Sequence, residues 1–294
     1  MSDSTDKSRS DILHKGGPSL SFFRLWVNRF SVAWMFLTRV PLPSWWNKPM
    51  PGEIVGVDPK DKGLGMIPLS DTVQTWPFVG LFVGAIAGVV LWLGASLGLH
   101  PMAAAVLGLI VAALITGALH EDGLADVADG FGGGRTIAKK LEIMKDSHIG
   151  SYGVLTLILV VGFKVTTLGS FNGPGLAAGA LVGAHVLSRA VLPLMMSVMS
   201  PAREGGLGTA AGIPTRDDAI VTAIIGVLVV LLTLGLWPGL LASAMAAAVA
   251  VAMGWYANRQ IGGFTGDVLG ATEQLVEAAV LAGLAVAFRT VFYI

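Results

Sequence analysis

About seven stretches of this chain run for close to twenty residues almost without charge. A run of that length matches the hydrocarbon core of a bilayer, and a spanning segment must satisfy its backbone internally. The chain is therefore expected to be all-α, a polytopic helical bundle in a membrane. The 294 residues are 54% hydrophobic and only 13% charged, about half the charged share of a soluble domain. No cysteine is present, which removes disulfides, thiolate metal sites and a thiol nucleophile. The 39 glycines suit helices that approach closely inside a bilayer. The formal net charge is zero, so overall charge gives no sign of a nucleic-acid partner.

The expected spans are Trp76–Leu99, Pro101–Leu119, Tyr152–Phe171, Leu176–Met199, Ala219–Leu236, Leu240–Tyr256 and Thr272–Tyr293. Before them, Leu20–Val40 is apolar but carries Arg24, Arg29 and Arg39. It reads as an interfacial or half-inserted helix whose arginines reach for headgroups. Pro41 and Pro43 stop it, and Trp45 and Trp46 suit the headgroup level. Residues 1–19 are polar and lack the apolar core of a signal peptide. They read as a disordered cytoplasmic tail, ahead of one membrane-embedded catalytic domain over residues 20–294.

The polar connections fall alternately on two sides. One side carries Lys48, Lys60, Lys62, Arg135, Lys139, Lys140, Lys145, Arg203, Arg216 and Arg259; the other has the short turns "GLHPM", "SFNGPG" and "LWPGL" with no Lys or Arg. The positive-inside rule makes the charged side cytoplasmic. Arg289, near the outer end of the last span, runs against the trend.

On the charged side stands "HEDGLADVADGFGGG", His120 to Gly134. Asp122, Asp126 and Asp129 fall at i, i+4 and i+7, one face of a helix. Neighbouring carboxylates about 5–6 Å apart repel by roughly 3 kcal/mol at an effective dielectric near 20. A divalent cation removes that repulsion, and hard oxygen ligands select Mg²⁺, Ca²⁺ or Mn²⁺. Helix capping by acids explains one or two carboxylates at a helix start, not three on one stripe. The pattern leaves one ion or two open. Glu121 lies off the stripe. Gly123, Gly130 and Gly132 to Gly134 are expected to leave room for a large ligand.

Further ionisable residues sit in unusual places. Lys139 and Lys145 follow the acidic motif and can hold phosphate; a solvated amphipathic helix is the plain alternative. Lys164 lies inside a span and needs a partner. His185 and Arg189 stand one turn apart in another, where Arg189 either snorkels or meets a ligand. Asp267 lies in a glycine-rich loop before the last span, with Glu273 at the helix start. Asp267 reads as a further ligand or a base, or as a simple turn aspartate.

Taken together, these residues resemble the cobalamin synthase family, the adenosylcobinamide-GDP ribazoletransferases. His120 to Gly130 matches the family signature H-x-D-G-x-A-D-x-x-D-G at every fixed place. The likeness runs on through "FLTRVPLP" (36–43), "WPFVGLFVGAIAG" (76–88), "LEIMKDSHIGSYG" (141–153), "SRAVLP" (188–193), "AREGGLG" (202–208) and "GGFTGDVLGA" (262–271). It covers nearly all of the chain from Ser31 onward. Position 121 is not fixed in the signature, and the family often has an arginine where His148 stands.

The resemblance implies a Mg²⁺-dependent transferase in the bacterial inner membrane, its active site facing the cytoplasm. It would join α-ribazole, or its 5′-phosphate, to adenosylcobinamide-GDP and release GMP. The implied catalytic set is Asp122, Asp126, Asp129 and Asp267, the first three as metal ligands. His120, Lys139, Lys145, Asp146, Arg189 and Arg203 are the implied substrate contacts. The implied partners are the two substrates and the lipid bilayer, not nucleic acid; a homo-oligomer is left open.

Two other readings compete. CDP-alcohol phosphotransferases also place aspartates at membrane-helix ends, but they require a D-G-x-x-A-R run, and here Ala125 is followed by Asp126. A cation transporter would use Asp122, Asp126, Lys164 and His185 along a path, with ionisable groups spread around the midplane. In this chain the aspartates gather at one face.

Overall fold

The computed structural model describes residues 22–43, 67–203 and 212–292. The expected tail, Trp45, Trp46 and most of the Asn47–Thr75 loop lie outside the described residues. Among the described residues the chain is a helical bundle. Its elements are α1 (Phe22–Leu37), a 3-10 turn (Leu69–Thr75), α2 (Trp76–Ser96), α3 (Pro101–Thr116), α4 (Leu119–Gly133), α5 (Ile137–Ile143), α6 (Ser151–Gly169), α7 (Pro174–Val198), α8 (Arg216–Leu234), α9 (Leu236–Ile261) and α10 (Gly266–Phe292).

Six helices are long and apolar enough to cross a membrane: α2 with its 3-10 turn, α6, α7, α8, α9 and α10. α3 and α4 qualify only together, as a pair bent by 91°, and taken as one broken span they bring the number among the described residues to seven. This agrees with the expected count. α1 is not among the candidate spans.

α7 and α10 are the enclosed spans, while α6 and α8 turn much of their surface to lipid. The most extensive helix contact is α2 against α7. It rests on the row Gly80, Gly84 and Gly88, one residue per turn along α2. A Cβ at Gly80 would run into the His185 carbonyl, one at Gly84 would lie 2.8 Å from the Val182 Cα, and one at Gly88 would lie 3.0 Å from the Ala178 oxygen. Small residues let the two backbones touch where there is no water to drive helices together.

The bend between α3 and α4 needs no proline. Gly117 (φ 66°) and Ala118 (φ 56°) are both left-handed, and Ala118 is the one non-glycine residue with positive φ among the described residues. That conformation costs an alanine about 1 kcal/mol. The corner is held from the segment just after α1, where the Arg39 amide donates to the Ile115 carbonyl at 2.7 Å. It lays α4 across the end of the bundle. The polar stretch expected over His120–Ser151 is helical for much of its length, with α4 running to Gly133 and α5 covering Ile137–Ile143.

Asp129 fixes α4 to the start of α6. Its carboxylate accepts from the amides of Gly150 at 2.7 Å and Gly153 at 2.9 Å, the unpaired donors of a helix N-terminus. A Cβ at either glycine would collide with that carboxylate, which explains "IGSYG".

Inside the bundle, Lys164 of α6 meets Glu277 and Gln274 of α10, both at 2.6 Å. Arg189 of α7 meets Glu273 at 2.6 Å, and Ser188 donates to the same carboxylate at 3.0 Å. His185 contacts Glu277. His120, from the acidic motif, lies 3.9 Å from Glu273. All of these side chains are buried. The lysine thus has the partner it needed. Arg189 is 1% exposed and does not snorkel.

Two outcomes test this arrangement. Glu277→Ala should cost about 3–5 kcal/mol by stranding buried cations, whereas Lys164→Met combined with Glu277→Gln should cost much less; thermal unfolding in detergent separates them. Asp129→Ala should cost about 2–3 kcal/mol and speed hydrogen exchange at the Gly150 and Gly153 amides, with Asp129→Asn milder because it keeps an acceptor.

Candidate active site

The acidic face of α4 meets the first turn of α10. A Cβ at Gly123 would lie 2.8 Å from the Asp267 carbonyl oxygen, and one at Gly270 would lie 3.2 Å from the His120 Cα. The two helices therefore touch backbone to backbone, and Asp267 stands beside Asp122. It belongs to the first turn of α10 rather than to a loop. Glu273, expected at the helix start, sits deeper and is fully buried.

A neighbouring strap supplies positive charge. The chain after α7 pairs with the chain before α10: Phe264 donates to the Ser200 carbonyl at 3.0 Å, and Ala202 donates to the Phe264 carbonyl at 2.9 Å. This brings Arg203 to 3.4 Å from the Asp267 carboxylate. The Thr265 hydroxyl donates to Asp267 at 3.2 Å.

Asp122 and Asp267 line a cavity of about 110 Å³ with His120. Its other walls are apolar: Phe36 and Leu37 from α1, Trp76 from α2, Leu192 and Met196 from α7, and Leu269 from α10. Every contributing element presents its end on the same side of the bundle.

Asp126 lies on α4, outside the six long spans. Its carboxyl is pushed up to about 7, first by burial and then by the carboxylates of Asp122, Asp267 and Asp129, with Arg203 opposing. That is the crowding the i, i+4, i+7 pattern predicts. The three aspartates do not converge on one point, however. With about 1.5 Å of rise per residue, Asp122 and Asp129 are roughly 10 Å apart along the axis. Asp129 also has both oxygens occupied by amides. One buried oxygen of Glu121 has no hydrogen-bond partner among the described residues.

Other expected site residues are placed elsewhere. Lys139 is exposed and pairs with Glu142 at 2.7 Å. Lys145 is exposed after α5. Asp146 accepts from the His148 amide at 3.1 Å and lies 2.7 Å from its ring, in a shallow depression shared with Asp129. Arg189 does not reach the cavity: Glu273 neutralises it inside the bundle, so the phosphate contact expected of it is not available in this arrangement.

The motif glycines also need correcting. The room beside them is filled by protein, not left for a ligand: Gly123 faces Asp267, Gly130 faces Met144 and Lys140, Gly132 faces the Tyr152 ring and Gly134 faces Lys140. The sequence reading missed Glu277, Gln274 and Ser188. The signal was there in the E-x-x-x-E spacing of Glu273 and Glu277, which puts two acids on one face of an apolar span. The trio His185, Glu273 and Glu277 does converge within 4.8 Å, but Lys164 and Arg189 already balance its carboxylates.

Residues 29–285 match the family model for cobalamin-5-phosphate synthase. An adenosylcobinamide-GDP ribazoletransferase of Bradyrhizobium diazoefficiens is 46% identical over 209 residues, covering 70% of this chain and 80% of the relative. The protein of the same name in Mesorhizobium japonicum is 38% identical over 256 residues, covering 87% and 92%. That in Rhizobium meliloti is 37% identical over 266 residues, covering 86% and 94%. No solved structure matches. A family model that matches most of the chain and relatives 37–46% identical over most of their own length agree, and the chain belongs to the cobalamin-5-phosphate synthase family.

Proposed function

We propose that the protein is a membrane phosphotransferase that joins α-ribazole, or its 5′-phosphate, to adenosylcobinamide-GDP. The observation that carries this reading is the meeting of Asp122 on α4 with Asp267 on α10 at the polar end of an apolar cavity, with Asp126 one turn along α4 and within reach of both charges. The names of the relatives give the substrates. In the reaction, a ribose hydroxyl oxygen bonds to the phosphorus that carries the cobinamide arm. The bond from that phosphorus to the bridging oxygen breaks, and GMP leaves with the oxygen.

Such chemistry rests on positioning and charge neutralisation. The donor set fits Mg²⁺: all candidate ligands are carboxylate oxygens, Asp126 is raised by crowded acids, and a buried oxygen of Glu121 has no partner among the described residues. Asp122 and Asp126, one turn apart, would hold the ion. When bound, it would offset the charge of the pyrophosphate and of the departing GMP. Asp129, fastened to α6, orients α4 instead of reaching the ion. Asp267 takes the proton of the attacking hydroxyl, and Arg203 holds its carboxylate and faces the incoming phosphate.

The competing readings have less support. A transporter path would need free ionisable groups near the midplane, and Lys164, His185 and Arg189 are paired there. The arginine of the CDP-alcohol pattern is absent. We place the site on the cytoplasmic face of the bacterial inner membrane, because the loops beside it carry the basic residues.

Two experiments test this. In a GMP-release assay, Asp122→Asn and Asp126→Asn should each lower kcat at least ~100-fold and change the Mg²⁺ dependence. Asp267→Asn should lower kcat by about 10²–10⁴-fold with Mg²⁺ dependence intact; an unchanged rate for all three would exclude the site. The chain has no cysteine, so single replacements report topology. Leu97→Cys and Asn172→Cys should label from outside the cell, and Lys139→Cys only after permeabilisation.

A further inference from the structure

The apolar walls of the cavity beside the carboxylates have no part in the chemistry just described, yet five helices, α1, α2, α4, α7 and α10, contribute to the lining. We propose that it seats the aromatic base of the acceptor, with the methylated ring inserted between Phe36, Trp76, Leu192 and Met196. This rests on the reaction proposed above and names which substrate occupies which part of the site.

Size is the first argument. The cavity holds about 110 Å³, of the same order as the ~150 Å³ apolar cavity that admits an aromatic ring. It takes one ring of a fused bicyclic base and excludes a corrin macrocycle. The charge pattern is the second. The walls are hydrocarbon and aromatic, with Phe36 and Trp76 rings 6.5 Å apart at 24°, a surface suited to a flat ring. Carboxylates of Asp122 and Asp267 and the imidazole of His120 mark one end only.

The two bases in the reaction differ in what such walls can accept. Guanine carries a carbonyl, a ring N–H and an amino group on its six-membered ring. Buried against leucine and methionine these would lose their water without replacement. Dimethylbenzimidazole has only two methyl groups on that ring, and its nitrogens lie on the ribose side. With the methylated ring inside, the ribose hydroxyl falls at the polar end, near Asp267. The hydroxyl oxygen then bonds to phosphorus, its proton passes to the Asp267 carboxylate, and GMP departs outside the cavity.

The test is a change of selectivity, measured on the full-length protein in detergent or nanodiscs. kcat/KM is compared for α-ribazole and for the riboside of unsubstituted benzimidazole, with KM for adenosylcobinamide-GDP recorded beside them. The wild type should favour α-ribazole by ~10-fold or more, the effect of a missing apolar group in a hydrophobic pocket. Leu192→Ala should shrink that ratio to within about threefold and leave the KM for adenosylcobinamide-GDP unchanged. Partial misfolding lowers both acceptors equally and does not move the ratio. If Leu192→Ala yields no folded protein, Met196→Val is read the same way. An unchanged ratio, or a change confined to the KM for adenosylcobinamide-GDP, overturns the assignment while leaving the reaction standing. A wild type that releases no GMP with either acceptor removes the reaction and the seat together.

Discussion

Charge balance inside the bilayer governs this bundle. Lys164 and Arg189 face Glu273 and Glu277 deep in the apolar interior, on three different helices. A lone charge at that depth costs at least ~2.5–3.5 kcal/mol, so no one of these helices is comfortable without the others. Pairing them fixes the rotation of α6, α7 and α10 about their axes, because each must aim its charge inward. Glu273 extends the same network to His120 and so to α4. The buried network and the acidic motif are therefore parts of one piece of protein.

Above that network the site is made by two local departures from regular structure. The left-handed pair Gly117–Ala118 turns the chain by 91°, so α4 runs across the bundle end rather than through it. Its aspartates then sit beside the first turn of α10 and not inside the row of long apolar spans. The paired strap between Ser200 and Phe264 performs the complementary task and carries Arg203 to Asp267. Asp129 sets the remaining freedom of α4 through the start of α6. A reacting phosphorus needs groups fixed to fractions of an ångström, and these ties supply that rigidity.

Much of this was legible in the sequence, for definite reasons. Apolar runs of bilayer length fix the fold class whatever their packing. The spacing of Asp122 and Asp126 gave one side of the site, and glycines around Asp267 hinted at its close approach. What was not legible depended on partners far away in the chain. Arg189 looked free for phosphate because Glu273, 84 residues later, gives no local sign of pairing with it. The glycines of the motif looked like space for a ligand; whether such space is filled is decided by Met144, Tyr152 and Asp267. The corner at Ala118 gave no local sign of itself, since alanine in an apolar run reads as helix.

The order in which the chain is made gives the ionic network a further meaning. Lys164 and Glu277 are 113 residues apart, and Arg189 precedes Glu277 by 88. A ribosome making this protein delivers both cations to the membrane well before either carboxylate exists. Until α10 arrives, α6 and α7 hold unpaired charge in an environment that rejects it. They must stay shallow, shielded by the insertion machinery, or shared with water. The last helix is then the closing step of biogenesis, and the bundle cannot settle until its final span is in place. Because Asp267 rides on that same helix, the site is completed in the same event that makes the fold stable.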